Sequence, residues 1–127
     1  MASELPRHDA VVEATSDTER TMQPQRVPVN VYESTSALVI VAPMPAVTAS
    51  DVTIELHPGR LRFWAKLRSA GPRDYLVHEW EYGGYEREID VPAGYGGGVE
   101  GTVTNGQLVV RVLRGKTTEV VVIKPTS

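Results

Sequence analysis

From Val52 to Leu67 bulky apolar side chains fall on every second residue, interrupted once by His57-Pro58-Gly59-Arg60. No other feature constrains the fold as much. A period of two lines one face of a strand and cannot line one face of a helix. Val52, Ile54 and Leu56 alternate with Thr53 and Glu55, and beyond the turn Leu61, Phe63, Ala65 and Leu67 face opposite to Arg62, Trp64 and Lys66. The segment reads as a hairpin of two half-buried strands. A second hairpin joins Val99–Thr104 to Gln107–Leu113 through Asn105-Gly106, a pair that tolerates the positive φ angles of a type I′ turn.

The same alternation recurs along most of the chain. Val27, Val29 and Val31 alternate with Pro28, Asn30 and Tyr32, and the proline, with no N–H for a ladder, places this run at a sheet edge or a strand start. Leu38–Ala42 is an unbroken apolar run ended by Pro43-Met44-Pro45, as expected of a strand covered on both faces. Tyr85, Arg87, Ile89 and Val91 alternate with Glu86, Glu88 and Asp90 before Pro92 stops them. Tyr75–Tyr82 is a less regular candidate strand, Gly94–Gly98 reads as a flexible loop, and Val120–Ile123 is a short apolar segment near the end. Some seven or eight short strands with turns between them predict an all-β chain, an antiparallel β-sandwich of the immunoglobulin-like kind.

At 127 residues the chain has length for one domain with a real core and little room for a second. A net charge of −3 provides no basic field for a phosphate backbone, so nucleic acid is not an expected partner. The absence of cysteine excludes disulfides, thiolate metal sites and thiol nucleophiles. Apolar runs stay far short of the roughly 20 residues of a membrane span. The start, Met1-Ala2-Ser3-Glu4, lacks the basic end and apolar centre of a secretion signal, so the expected location is the cytoplasm. Residues 1–26 are polar, with Val11 and Val12 their only adjacent bulky apolar pair. They predict a flexible arm, with at most a short helix over Asp9–Ala14. The expected layout is an arm at 1–26, a sandwich domain at 27–114 and a tail at 115–127.

No motif demands an active site. His8, His57 and His78 have no metal-ligand spacing, there is no Gly-x-Ser-x-Gly elbow, and neither cofactor nor metal is expected. Glu79 and Glu81, or Glu86, Glu88 and Asp90, supply carboxylates that a sandwich glycosidase could pair. The polar outer face of a sheet gives the same pattern. A carbohydrate-binding reading would need Trp64 as a platform. Gly94–Gly98 lacks the Lys-Ser/Thr ending of a phosphate loop and leads into a strand, not a helix. The chain is not expected to be an enzyme.

Taken in order, the segments from Val27 to Ile123 resemble the alpha-crystallin domain of the small heat-shock proteins. The likeness begins with Val29-Asn-Val-Tyr32-Glu33, Leu38-Val-Ile-Val-Ala-Pro-Met-Pro45, Asp51-Val-Thr-Ile-Glu-Leu56 and Gly59-Arg-Leu-Arg-Phe63. Tyr82-Gly-Gly-Tyr85-Glu-Arg87-Glu-Ile-Asp-Val-Pro92 is similar to the family's Gly-x-aromatic-x-Arg segment. Gly101-x-x-x-Asn105-Gly106-Gln107-Leu108 is similar to its Ala-x-x-x-Asn-Gly-Val-Leu signature. The length from Leu67 to Tyr85 resembles that of bacterial members. Gly101 stands where the family usually has Ala, Gln107 where it has Val or Ile, and the glycines at 94–98 replace a more acidic turn.

The resemblance implies an ATP-independent chaperone that covers the exposed apolar surface of unfolding client proteins, built from homodimers that assemble further. A monomeric co-chaperone-like adaptor on the same sandwich is the alternative. In the family a tail carrying two β-branched residues spaced by two docks into a groove of a neighbouring dimer; Val121 and Ile123 match it here. The groove would be lined by Val52, Ile54 and Leu56 on one side and Val99 and Val103 on the other, although alternation alone also fits ordinary core residues. The link Arg114–Val120 is short, and Val121–Ile123 closing its own sandwich as a terminal strand is the second possibility. Arg87 matches the family's recurrent arginine, which implies a dimer-interface role against a plain surface ion pair. Its place among Tyr85, Ile89 and Val91 would require a carboxylate or carbonyl partner. The resemblance also implies that Tyr75, Val77, Trp80 and Tyr82 cross to a partner and pair with the strand carrying Val29 and Val31; a mobile loop is the other reading.

Overall fold

The Asn105-Gly106 turn forms with φ of 51° and 73° at its two central residues, as the type I′ geometry requires. It joins the two longest strands of a computed structural model that describes residues 25–66, 74–79 and 84–127. Among the described residues the strands are β1 (Gln25–Arg26), β2 (Asn30–Glu33), β3 (Ala37–Pro43), β4 (Val52–His57), β5 (Arg60–Ala65), β6 (Tyr85–Asp90), β7 (Tyr95–Thr104), β8 (Gln107–Arg114) and β9 (Val121–Ile123). They form two sheets, in the orders β1-β6-β5-β4-β9 and β2-β3-β8-β7. All pairings are antiparallel except β1 with β6. The chain is an all-β sandwich.

The inward set of each strand supplies the core. Val52, Ile54 and Leu56 from β4, Leu61, Phe63 and Ala65 from β5, and Leu38, Ile40 and Ala42 from β3 meet Leu108, Val110 and Val112 from β8. Nearly all are fully buried, each worth about 1.5–3 kcal/mol for the larger side chains. Leu38–Val41 and Ala42 are covered on both faces as the unbroken run predicts, only Val41 being partly open. A 3-10 turn at Ala49–Asp51 leads into β4, capped by Asp51, whose Oδ2 accepts the Thr48 N–H at 2.9 Å.

Three expectations differ from the structure. The alternating run at Val27 does not form a strand until Asn30. Val27 is buried, and its carbonyl accepts a hydrogen bond from Arg87 instead of a ladder partner. Gly94–Gly98 is not a loop: β7 already begins at Tyr95, with a register shift between Tyr95 and Gly98 opposite Arg114 and Leu113. Glycine is used there for close backbone approach, since a Cβ at Gly97 would overlap the Arg114 carbonyl. Residues 74–79 carry no strand in the single chain. The rest of that candidate strand, with Trp80 and Tyr82, lies outside the described residues, as does the Asp9–Ala14 helix.

Candidate functional site

On one side of the sandwich β4, next to the terminal strand β9 in one sheet, lies beside β7, the edge of the other. Val52, Ile54 and Leu56 project inward from β4, all at 0% exposure. Val103, at 8%, and the partly buried Val99 face them from β7. The structure brings all five predicted groove residues to one side of the sandwich, four of them in the core and Val99 packed against it.

The tail covers that side. β9 runs antiparallel to β4 of the same chain, with Ile123 opposite Ile54 and Val121 opposite Leu56, and both tail residues pack against the core cluster. The segment then crosses to the other sheet. Thr126 N–H donates to the Gly101 carbonyl at 2.9 Å and the Thr126 carbonyl accepts from Val103 N–H at 2.8 Å, forming a parallel bridge with β7. Pro125 is buried between the sheets, and Lys124 Nζ reaches Thr53 Oγ1 at 3.0 Å and the Ser50 carbonyl at 3.3 Å. The sequence reading set Val121 and Ile123 in the groove of a neighbouring dimer, with closure on their own sandwich as the second possibility, and here they pair with β4 of their own chain; Pro125, Thr126 and Gly101 were not singled out for this contact. The one signal for them was Gly101 standing where an alanine is usual.

The second surface surrounds β2. Among the described residues this strand is an edge, paired only with β3, and all four of its residues are exposed. Val31 is 46% and Tyr32 56% exposed, while Val29, just before the strand, packs on the core. Residues 74–79 present Leu76 at 85% and Val77 at 70% exposure, with the Tyr75 ring stacked on His78 at 4.3 Å. Leu76, the most exposed large apolar residue described, was not among the predicted interface residues, because irregular alternation did not mark its direction.

Arg87 finds the carbonyl partner its position demands: Nη1 donates to Val27 O at 2.9 Å, tying the segment before β2 onto β6. Its Nε is buried and meets no acceptor among the described residues. Leaving a charged donor buried and unmatched is unfavourable, so the arginine has capacity for one more partner.

The remaining polar features are structural. The outer face of β4, β5 and β6 is a lattice of polar pairs: the ion pairs Arg60–Glu88 at 2.9 Å and Arg62–Glu86 at 2.5 Å, and a hydrogen bond between His57 Nε2 and Glu55 Oε1 at 2.6 Å. The Arg62 guanidinium lies 4.2 Å over the Trp64 ring, which occupies the aromatic face a sugar would need. Tyr95 donates to Glu33 Oε1 at 2.7 Å, and that hydrogen bond, with lesser help from burial, raises its phenol above the ordinary value of 10.0 against the opposing pull of Arg114. Among the described residues no three His, Asp or Glu side chains are grouped to hold a metal ion, and no helix is long and apolar enough to cross a membrane.

Comparison with known proteins follows the same geometry. The model of the Hsp20/alpha crystallin family matches residues 30–124. No curated protein matches the chain by sequence. Among solved structures, a small heat-shock protein from Xylella fastidiosa superposes with a TM-score of 0.61 at 18% identity, covering 73% of this chain and 89% of that one. Heat shock protein 16.0 from Schizosaccharomyces pombe gives 0.62 at 18%, covering 90% of each chain. The hspA of Xanthomonas axonopodis gives 0.60 at 20%, covering 70% and 93%.

Proposed function

The chain belongs to the Hsp20/alpha crystallin family, and from that membership we propose that it is an ATP-independent holdase, binding unfolding proteins in the cytoplasm and keeping them from aggregating. The observation that carries this reading is apolar surface a lone subunit leaves open. Val31 and Tyr32 lie along a strand edge that is unpaired among the described residues, and Leu76 and Val77 are exposed in the segment at 74–79. Exposed apolar groups of this kind mark sites for other proteins, and an unpaired edge offers main-chain hydrogen bonds to an extended segment of any sequence. The acidic net charge gives no support to a nucleic-acid partner.

In the same reading the building block is a homodimer. The 75–82 segment of each subunit adds to the partner's β2, so that Tyr75, Val77, Trp80 and Tyr82 meet Val29 and Val31, and Arg87 spends its unmatched Nε on an acceptor of the partner. The tail residues Val121 and Ile123 act as the docking motif for the groove of Val52, Ile54, Leu56, Val99 and Val103. Higher assembly follows if tails bind neighbours.

The test is light scattering of a heat-sensitive client, with and without the protein and with and without ATP. The reading expects suppression near equal mass, unchanged by ATP, and scattering that rises as in the chaperone-free control refutes it. A tail closed on its own chain favours a second reading, a monomeric co-chaperone-like adaptor. A native mass equal to one subunit at micromolar concentration, together with no client protection, would select it.

A further inference from the structure

We infer, resting on the reading of β2 as the edge that takes a partner strand, that Tyr95 is a positioning residue for that edge. Its phenol braces β2 from the opposite side of the same sheet and holds it extended for a segment to add.

Little else holds β2. Among the described residues it pairs with β3 alone, and all four of its residues are exposed. An edge strand that buries no side chain of its own opens readily. Its entry is fixed at Val27, whose N–H donates to the Glu86 carbonyl at 3.3 Å and whose carbonyl accepts from Arg87. Its exit has a local anchor in the turn, where Ser34 N–H donates to the Ala37 carbonyl at 2.8 Å.

Tyr95 adds a long-range anchor at that exit. In the order β2-β3-β8-β7 two strands separate it from Glu33, so at about 4.8 Å per strand the two edges stand roughly 14 Å apart. The register shift aims the ring across that distance. Between the pairs Tyr95–Arg114 and Gly98–Leu113, Gly96 and Gly97 are extra residues on β7, and a bulge of this kind redirects the side chain beside it. Glycine is needed in it, because a Cβ at Gly97 would overlap the Arg114 carbonyl. The ring lies in the core cluster at 7% exposure, and its hydroxyl reaches the far edge to donate to Glu33 Oε1 at 2.7 Å. A phenylalanine would fill the same space without reaching the carboxylate.

Arg114 joins the ring to the turn. Its guanidinium sits 4.9 Å over the Tyr95 ring, its Nε donates to the Thr35 carbonyl at 2.9 Å and its N–H to the Ser36 carbonyl at 3.2 Å. Phenol, guanidinium, turn and Glu33 thus form one unit at the end of β2. Adding a strand to an edge that must first be ordered weakens binding by the fraction of subunits in which that edge is open. The brace completes this ordering when the subunit folds.

The test is hydrogen exchange of the full chain, at a dilution where subunits do not pair, so that it reports the brace whether or not β2 takes a partner. Tyr95→Phe and Glu33→Ala should each speed exchange of the β2 amides bonded to β3 by about fivefold or more. The double variant should go no further than either alone, and Glu33→Gln, which keeps a carbonyl acceptor, should stay near the parent. Unchanged exchange in the single variants, or additive effects in the double, overturns the inference. Sedimentation then tests the positioning role: Tyr95→Phe should weaken dimerisation by about fivefold, since both subunits must order β2 before pairing. Dimerisation weakened by Val31→Lys yet untouched by Tyr95→Phe overturns that role. If neither variant weakens it, the reading of β2 as the interface fails, while faster β2 exchange still upholds the brace.

Discussion

Replacing Arg87 by methionine, close to it in length but without donors, separates two roles that the arginine can play. Within one subunit the change removes the hydrogen bond from Nη1 to the Val27 carbonyl. A bond from a charged donor is worth about 1.5–3 kcal/mol. The same change removes a buried Nε that has no acceptor among the described residues, relieving a penalty of about 1–3 kcal/mol. The two nearly cancel, so the isolated fold should lose little. In a dimer whose partner gives Nε an acceptor, there is no penalty to relieve, and the change removes two bonds, about 3–6 kcal/mol per arginine. The cost should therefore fall on association. With two such arginines in a dimer, sedimentation of parent and Arg87→Met over a dilution series should show dimerisation weakened by about ten-thousandfold or more. Urea midpoints at low concentration should agree closely. Equal dissociation constants, with a loss of stability independent of concentration, would confine Arg87 to tethering Val27 and refute its place at the interface.

Val31→Lys sets a charge on an exposed strand edge, so it should change subunit stability by no more than about 0.5 kcal/mol while reducing the dimer fraction in the same sedimentation series; an unaltered fraction removes β2 from the interface. Asn105→Val forces a β-branched residue to a φ of 51°, and should cost about 1–2 kcal/mol in chemical denaturation, whereas Asn105→Gly should be nearly neutral; the opposite order would contradict the turn geometry. Tyr95 should ionise above the ordinary phenol value of 10.0 in ultraviolet titration. Because its folded value is raised, its hydrogen bond to Glu33 contributes fully below the unfolded value of 10.0 and is lost as pH climbs through the raised one. Tyr95→Phe should flatten that alkaline loss, and an identical alkaline limb in parent and variant would count against the Glu33 contact.

The hairpins were legible because local rules agree with the fold at those places. Alternation fixes which side chains of β4 and β5 turn inward, and Asn105-Gly106 fixes the register of β7 with β8. The inward direction of Val52, Ile54 and Leu56 was legible for the same reason. The place of the tail was not legible, since the spacing of Val121 and Ile123 fits a terminal strand of their own sandwich as well as a motif for a neighbour's groove; in the structure β9 pairs with β4 of the same chain. The four glycines at 94–98 were misread because glycine signals both freedom and close packing, and composition cannot separate the two. Val27 was misread because period-two spacing continues through it, although its carbonyl is taken by Arg87 and its N–H donates to the Glu86 carbonyl of β6. Leu76 escaped notice since a segment without regular alternation gives no facing direction.

The central claim is that open apolar surface on this sandwich captures unfolding proteins. It is tested most directly by heating a client with the protein, without nucleotide, and measuring the mass of what stays in solution. Client and protein should elute together in a soluble complex heavier than either one. A client found wholly in the pellet, with the protein eluting by itself at its unheated mass, would contradict the account.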